Sequence, residues 1–226
     1  MPKALLFDID GTLIKTAGAG AKSCKEAIET GFQKENADVD VDYGGRTDLS
    51  LIREFFKLND IPLNSENISI FFRCYKDALP RHLSVSGGVV LPGVWGLLEE
   101  LKKHPDVYLG LVTGNCKDGA AAKLGHFDLW QEFGFGAYGD EAEDRNQIAR
   151  LGYERAGEVC FGIEREDVVV IGDTPKDITC GRSIGAKVVA VLTGYASEED
   201  IRREKPDLVL ENLEDVGKML GFLGRG

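Results

Sequence analysis

The sequence predicts an α/β fold, a doubly wound parallel sheet that carries a small inserted all-helical cap domain. Three observations predict it. Short apolar runs with the length and composition of buried parallel strands alternate with segments of helical periodicity. Each run ends in a polar or glycine-rich turn. One long stretch near the N-terminus breaks the alternation and contains helical patterns alone.

Five apolar runs are predicted to be strands of this sheet, and three helical segments lie between them. The strands are 4–7, 108–112, 168–171, 188–192 and 208–210, and the helices are 94–101, 147–159 and 176–184. Because strand and helix alternate, we expect a parallel sheet with helices on both faces. In open sheets of this kind, ligands bind outside the carboxyl ends of the strands.

Residues 16–87 are predicted to form the helical cap, inserted between 1–15 and 88–226, which together form the core domain. The cap contains three helical patterns. The first covers 23–33, the second follows Thr47 as its N-cap, and the third starts at Asn64 or Ser65.

Glycine-rich segments lie at both crossings between core and cap, at 18–20 and 86–88. Because glycine backbones rotate readily, the paired crossings favour a cap that moves about two hinges. The alternative is a set of extra helices fused rigidly to the core.

The composition restricts the partners of the chain. Its 226 residues include 27 basic and 38 acidic side chains, a net charge of -11, and an acidic surface repels a nucleic-acid backbone. No apolar segment has the length of a membrane span, and no signal peptide is recognisable. We therefore expect neither a nucleic-acid nor a membrane partner. Five scattered cysteines without a Cys-x-x-Cys pair are typical of reduced thiols, which favours a cytoplasmic location.

The strongest chemical signal is the segment FDIDGTL, residues 7–13, directly after the first predicted strand. Its carboxylates, Asp8 and Asp10, can enter one crevice only if the backbone leaves strand geometry, and Gly11 permits that turn. Two anions so close repel each other, and a divalent cation with oxygen ligands relieves the repulsion. The alternative for an isolated Asp-x-Asp is a surface turn with two solvated aspartates.

Two further strand ends carry polar groups suited to the same site. Thr113, Gly114 and Asn115 offer a hydroxyl and backbone N–H groups, which suit phosphoryl oxygens. Asp173 offers another oxygen ligand for a cation, and Asp177 follows one helical turn later. Each segment alone could be an ordinary strand-to-helix turn. Together, on separate strands of one sheet, they indicate a site for phosphate and metal.

In combination, DIDGT at 8–12, the threonine at the strand end at 113 and GDTPKD at 172–177 resemble the motifs of the haloacid dehalogenase superfamily. The resemblance covers nearly the whole chain and is closest to phosphatases with a helical cap, of the phosphoglycolate phosphatase and β-phosphoglucomutase type. It implies a Rossmann-like core and Mg²⁺-dependent hydrolysis of a small phosphate monoester, such as 2-phosphoglycolate or a sugar phosphate. The implied partner is a small phosphorylated metabolite, and the implied assembly is a monomer or homodimer.

The resemblance also implies roles for the acids, carried over by position. Asp8 is the nucleophile that becomes an aspartyl phosphate. Asp10 protonates the leaving alkoxide and then takes a proton from the attacking water. The Asp8 carboxylate, the Asp10 backbone carbonyl and Asp173 hold Mg²⁺, and Asp177 is a supporting acid near the metal.

The family pattern places phosphoryl oxygens against Thr113 and the amides of Gly114 and Asn115, but one family feature is missing. Related proteins usually carry a lysine, often followed by proline, between the threonine and Gly-Asp motifs, and no Lys-Pro occurs there. Arg145 stands near that position at the start of a helix, and we expect it to substitute because arginine can bind phosphate in a bidentate fork. Arg150 is the second candidate. Alternatively, Arg145 only pairs with the acids beside it.

Two cations are candidates for substrate contact. Arg46 lies in the cap before the Thr47 N-cap, in a loop that faces the active site in related proteins, and it could meet a second anionic group or remain solvated. Lys176, between the aspartates of the last motif, faces either the site or the surface.

Two other functions remain open at this level. A phosphomutase would use the same aspartyl phosphate to return the phosphoryl group to another oxygen of the substrate. A regulatory module that binds metal or phosphate without turnover would explain the missing lysine, although it would not explain the intact aspartates.

Overall fold

A parallel sheet of six strands lies at the centre of the molecule in a computed structural model, which describes residues 2–225. The sheet strands and two short strands beside them are β1 (Lys3–Phe7), β2 (Ile14–Lys15), β3 (Val89–Val90), β4 (Val107–Val112), β5 (Phe135–Ala137), β6 (Val168–Gly172), β7 (Lys187–Val191) and β8 (Leu208–Leu210). The order in the sheet is β5-β4-β1-β6-β7-β8, and β2 pairs antiparallel with β3. The connections run outward from β1 in both directions, so the carboxyl end of β1 lies at the crevice where such sheets bind ligands.

Helices connect the strands and cover both faces of the sheet. They are α1 (Ala19–Phe32), α2 (Asp48–Leu58), α3 (Ser65–Ser86), α4 (Val94–Leu101), α5 (Lys117–His126), α6 (Arg145–Val159), α7 (Pro175–Ser183), α8 (Glu198–Arg203) and α9 (Val216–Leu223). Leu5 and Phe7 of β1 pack in a cluster with α4, α5 and α9, whereas Ala4 and Leu6 pack in a second cluster with α6 and α7. Successive residues of a strand point to opposite faces, so Ala4 to Phe7 are all apolar because both faces are buried.

The predicted fold class is confirmed by this doubly wound sheet and its helical content. The sequence pattern does not reveal β5, α5, α8 and α9. β5 has only three residues, one of which is Gly136. α5 is rich in glycine and alanine, whose small side chains give weak apolar periodicity.

The helices α1, α2 and α3, which we call the cap helices, pack around an aromatic core of their own. The ring of Phe71 in α3 lies 6.2 Å from those of Phe55 and Phe56 in α2, measured between centroids. Phe32, at the end of α1, lies 5.3 Å from Phe56. The domain boundaries at 16–87 stay a prediction.

The ends of the cap helices follow their capping residues. Thr47 caps α2 as predicted, and Asn64 rather than Ser65 caps α3, because each side chain accepts an N–H bond from the first turn. α1 begins at Ala19, four residues earlier than predicted, after Gly18 in the left-handed conformation at φ 81°. Part of the first glycine-rich crossing is therefore helical.

The N-terminus of α2 rests on the core at the carboxyl end of the sheet. The backbone N–H of Asp48 donates to the Gly114 carbonyl at 2.7 Å, and the Thr47 hydroxyl donates to the Glu143 carbonyl at 2.9 Å. The approach is so close that a Cβ on Gly114 would lie 1.9 Å from the Arg46 carbonyl oxygen. These contacts hold the cap helices over the strand ends.

Two expectations from composition concern membranes and thiols. Within residues 2–225, every helix falls short of the length and apolar character needed to cross a membrane. The five cysteines are free, and four of them are buried. They therefore serve as small apolar side chains in the packing.

We expect Gly93→Ala to lower the free energy of unfolding by about 2 kcal/mol or more. Gly93 has φ 82°, which an L side chain adopts only with strain, and its Cβ would lie 2.0 Å from the backbone of Leu213. The matched control is Gly96→Ala in α4, where a Cβ meets open space and raises stability by about 0.5–1 kcal/mol. Urea unfolding of both variants measures this, and equal midpoints would contradict it.

Candidate active site

The turn after β1 separates the environments of Asp8 and Asp10. Asp8 is still tied to the sheet, because its N–H donates to the Ile171 carbonyl at 2.9 Å. The Ile9 carbonyl accepts N–H bonds from the turn that follows, in which Gly11 takes the required positive φ of 87°. Asp8 is buried, whereas the Asp10 side chain is 41% exposed. The segment therefore supplies one acid to the interior and one to an open pocket.

Asp8, Asp173 and Asp177 form a buried cluster in which one carboxylate oxygen of each lies within 4.8 Å of the others. They follow β1 and β6 and lie in the first turn of α7. Gly11 and Gly194 leave the room that Asp173 occupies, since a Cβ on them would lie 2.4 Å and 1.7 Å from its Oδ2. Acids distant in the chain thus converge at one rim of the sheet, where they could hold a metal ion.

Arg145 is a cation buried against this cluster. Its Nη2 donates to Asp8 Oδ1 at 3.1 Å and also to Asp177 Oδ1. Asp177 is fixed in turn, because its Oδ2 accepts from the N–H of Thr174 at 2.9 Å and from its hydroxyl at 2.6 Å. Arg150, the second candidate, is exposed on α6. The structure therefore places Arg145, and not Arg150, beside Asp8.

One arginine does not offset the charge of these acids. Burial raises the pKa of Asp8 to about 6, with Arg145 opposing the shift and Asp177 adding to it. Burial, Asp177 and Asp8 together raise the pKa of Asp173 to about 8. Both shifts are caused first by burial of the carboxyl groups and second by repulsion from the neighbouring acids. A further positive charge would be stabilised at this position.

A second polar network surrounds Asp10. The Nδ2 of Asn115 donates to Asp10 Oδ2 at 2.8 Å and to Thr113 Oγ1 at 2.9 Å. The Nζ of Lys123, on α5, donates to the same Asp10 oxygen and to Asn115 Oδ1, both at 2.6 Å. The structure therefore brings the threonine motif against Asp10, with the hydroxyl of Thr113 engaged by Asn115.

A pocket of about 620 Å³ opens between the rim of the sheet and the cap helices. A volume of this order suits a small ligand. The predicted site residues that line it are Asp8, Asp10, Arg46, Gly114, Asn115, Arg145, Asp173 and Lys176. Thr113 and Asp177 lie beneath the surface of the pocket, 0% and 1% exposed.

The two cations predicted to contact substrate already have partners. Arg46 pairs with Glu54 and donates from Nη2 to the Ser50 carbonyl at 2.9 Å. Lys176 donates to the Gly44 carbonyl at 2.9 Å, which links α7 to the loop before α2, and partial burial lowers its pKa. An anionic group of a ligand would therefore reach Arg46 only in competition with Glu54.

Lys123 is a buried cation of the pocket wall that the sequence motifs do not indicate. It is 6% exposed and lies on the face of α5 that also carries Gly119, Ala120 and Leu124. A charged residue at a core position of a helical pattern is the signal that indicates such a group. That signal is weak here because α5 itself has little apolar periodicity.

The comparisons with known proteins agree with this geometry. Residues 5–191 match the family of haloacid dehalogenase-like hydrolases. A phosphoglycolate phosphatase of Photorhabdus laumondii is 27% identical over 97% of this chain and 93% of its own, and a pyrophosphatase of Halalkalibacterium halodurans is 24% identical over 98% of both. The crystal structure of a predicted phosphoglycolate phosphatase from Haemophilus somnus has a TM-score of 0.72 at 24% identity, covering 96% of this chain and 97% of that chain. This last likeness establishes the fold.

We expect the metal-free protein to lose stability as the pH rises through the pKa values of Asp8, about 6, and Asp173, about 8. Both exceed the ordinary value of 3.8, so above about pH 4 the folded state binds more protons than the unfolded state, and stability falls with rising pH. A divalent cation replaces those protons. Melting temperatures with EDTA or Mg²⁺ should therefore differ more at high pH than near pH 5.

The control for this prediction is a pair of Asp→Asn variants. Asp173→Asn removes one anion of the cluster, so it should raise the melting temperature of the metal-free protein at alkaline pH and reduce the response to Mg²⁺. Asp215→Asn, at the N-cap of α9 outside the pocket lining, should leave both unchanged, because asparagine caps equally well. A response of the wild type to Mg²⁺ that is equal at every pH would contradict the prediction.

Proposed function

We propose that this chain, which belongs to the haloacid dehalogenase-like hydrolase family, is a Mg²⁺-dependent phosphatase that acts on a small phosphate monoester. The reaction proceeds through an aspartyl phosphate on Asp8. The observation that carries the proposal is the convergence of Asp8, Asp173 and Arg145 at one pocket. This arrangement combines a nucleophile, ligands for a cation and a fixed positive charge, which are the parts that phosphoryl transfer needs.

A divalent cation fits the residues present. The carboxylates of Asp8 and Asp173 offer oxygen ligands, and burial together with the neighbouring acids raises their pKa values. These two groups and the Asp10 backbone carbonyl would hold Mg²⁺. Asp177 supports them from beneath, since its two oxygens are engaged by Arg145 and Thr174. When bound, Mg²⁺ would neutralise charge on the phosphoryl oxygens.

In the first step, an Asp8 carboxylate oxygen attacks phosphorus in line with the leaving group. The bond between phosphorus and the substrate oxygen breaks with its electron pair on that oxygen, and Asp10 donates the proton that completes the alcohol. Arg145 orients Asp8 through their hydrogen bond and offers its charge to the transferring group. Thr113 and the amides of Gly114 and Asn115 form the phosphoryl-binding loop.

In the second step, Asp10 is a carboxylate and takes a proton from water. The water oxygen attacks phosphorus, and the bond between phosphorus and Asp8 breaks with its electron pair on the carboxylate. Inorganic phosphate leaves, and Asp10 is protonated again. The 41% exposure of the Asp10 side chain towards the pocket allows it to meet both the leaving alcohol and the water.

The proposed substrate is a small phosphorylated metabolite. A volume of about 620 Å³ suits a small ester, and a second anionic group of that ester would reach Arg46 by displacing Glu54. The relatives named phosphoglycolate phosphatase and pyrophosphatase make 2-phosphoglycolate, sugar phosphates and pyrophosphate the compounds to test.

We expect the wild type to release inorganic phosphate from at least one of these compounds with Mg²⁺ and not with EDTA. Asp8→Asn removes the nucleophile and should abolish the release while the protein remains folded. Asp215→Asn, the same substitution outside the pocket, should retain full activity. Undiminished activity of Asp8→Asn would contradict the mechanism. Formation of hexose 6-phosphate faster than free phosphate, from a β-hexose 1-phosphate with its bisphosphate activator, would indicate a mutase.

We expect Arg145→Met to lower kcat by about 100-fold or more, the usual cost of removing one preorganised contact to a transferring group. Arg145→Lys keeps the charge but loses the planar fork, so its activity should fall between that of Arg145→Met and the wild type. Arg150→Met is the matched control, because Arg150 is exposed on the same helix. Steady-state kinetics would contradict the assignment if Arg150→Met lost activity and Arg145→Met kept it.

A further inference from the structure

Lys123 is a buried cation in the pocket wall that the two steps above do not use. Its Nζ lies 2.6 Å from Asp10 Oδ2 and 2.6 Å from Asn115 Oδ1, and only 7% of its side chain is exposed. Burial opposes the charge of an ammonium group, yet the attraction and hydrogen bond of Asp10 hold the pKa of Lys123 above its usual value. A charged lysine is thus fixed beside the proposed acid and base.

Lys123 and Asn115 donate to the same oxygen of Asp10. Oδ2 accepts from Lys123 at 2.6 Å and from Asn115 at 2.8 Å. Asn115 is itself held by Lys123 through Oδ1 and by Thr113 through Nδ2. The Asp10 side chain nevertheless keeps 41% exposure to the pocket that it lines. One oxygen of the carboxylate is therefore held by two hydrogen bonds, while the side chain as a whole stays accessible from the pocket.

Two other roles for Lys123, in substrate binding and in stability, do not explain this arrangement. Two of the three N–H groups of Lys123 are already donated, and its small exposed fraction offers little surface to a ligand. Burying a lysine costs free energy, and a buried ion pair is often no more stable than apolar residues of the same size. The Asp10 side chain is 41% exposed, so solvent can reach its carboxyl group without a buried partner.

We infer that Lys123 is a positioning residue, which with Asn115 holds Oδ2 of Asp10 so that its other carboxylate oxygen meets the leaving group and then the water. The inference rests on the proposed function. Both holding groups belong to the core, to α5 and to the loop after β4.

The test compares two esters that differ in their need for a proton. An alkyl phosphate expels a poor leaving group that Asp10 must protonate, whereas p-nitrophenyl phosphate expels a stable phenolate. We expect Lys123→Met to lower kcat/KM for the alkyl ester by about 100-fold, and for p-nitrophenyl phosphate by less than about 10-fold. Lys117→Met, the same substitution at an exposed position of α5, should leave both values within about twofold.

Two further measurements separate positioning from a merely structural role. Calorimetric affinity for inorganic phosphate with Mg²⁺ should remain within about twofold of wild type, because Lys123 is not placed on the phosphoryl group. The double variant Asp10→Asn/Lys123→Met should be no slower on the alkyl ester than Asp10→Asn, since the two residues act as one unit. Lys123→Met alone leaves the Asp10 carboxylate without its cation and could unfold the protein. The double variant carries neither charge, so it can still be compared with Asp10→Asn.

Several results would overturn the inference. They are an equal loss on both esters, a higher KM with unchanged kcat, weaker phosphate binding, and additive losses in the double variant. Failure of the proposed function looks different, because the wild type itself would then release no phosphate from either ester.

Discussion

Repulsion among buried carboxylates at the carboxyl end of the sheet is the constraint on which the site depends. Asp8, Asp173 and Asp177 lie within 4.8 Å of one another where little water screens them. A fold selected for stability alone would not assemble such a group, because each ionised acid raises the free energy of the others. The close packing of Gly11 and Gly194 against Asp173 keeps the acids from spreading apart.

Two cations pair with different acids of the site. Arg145 is rigid, permanently ionised and shared between Asp8 and Asp177, which suits a group that must remain an anion. Lys123 is a compact point charge held against Asp10, the group proposed to change its protonation state during the reaction. The proposed nucleophile, Asp8, and the proposed acid, Asp10, therefore face the same pocket but belong to separate hydrogen-bond networks.

The features visible in the sequence are those with strong local signals. Buried strands such as β1 and β6 are continuous apolar runs, and the acids after them follow turns that a glycine marks, so the rim of the sheet is predictable. Arg145 is predictable because it starts a helix near a family position. Lys123 is not, since it belongs to α5, where small residues hide the helical period. The engagement of Arg46 by Glu54 depends on side-chain packing that no motif describes.

The contact between the start of α2 and the loop after β4 has a consequence for the space between the cap helices and the strand ends. Gly114 belongs to the loop proposed to bind the phosphoryl group, and its missing side chain is what lets the Arg46 carbonyl come so near. A Cβ at residue 114 would overlap the Arg46 carbonyl oxygen and lie 3.1 Å from Nη1 of Arg145, so it would disturb both the approach of α2 and the arginine beside Asp8. The spacing between α2 and the loop after β4 is therefore set by the absence of a single side chain.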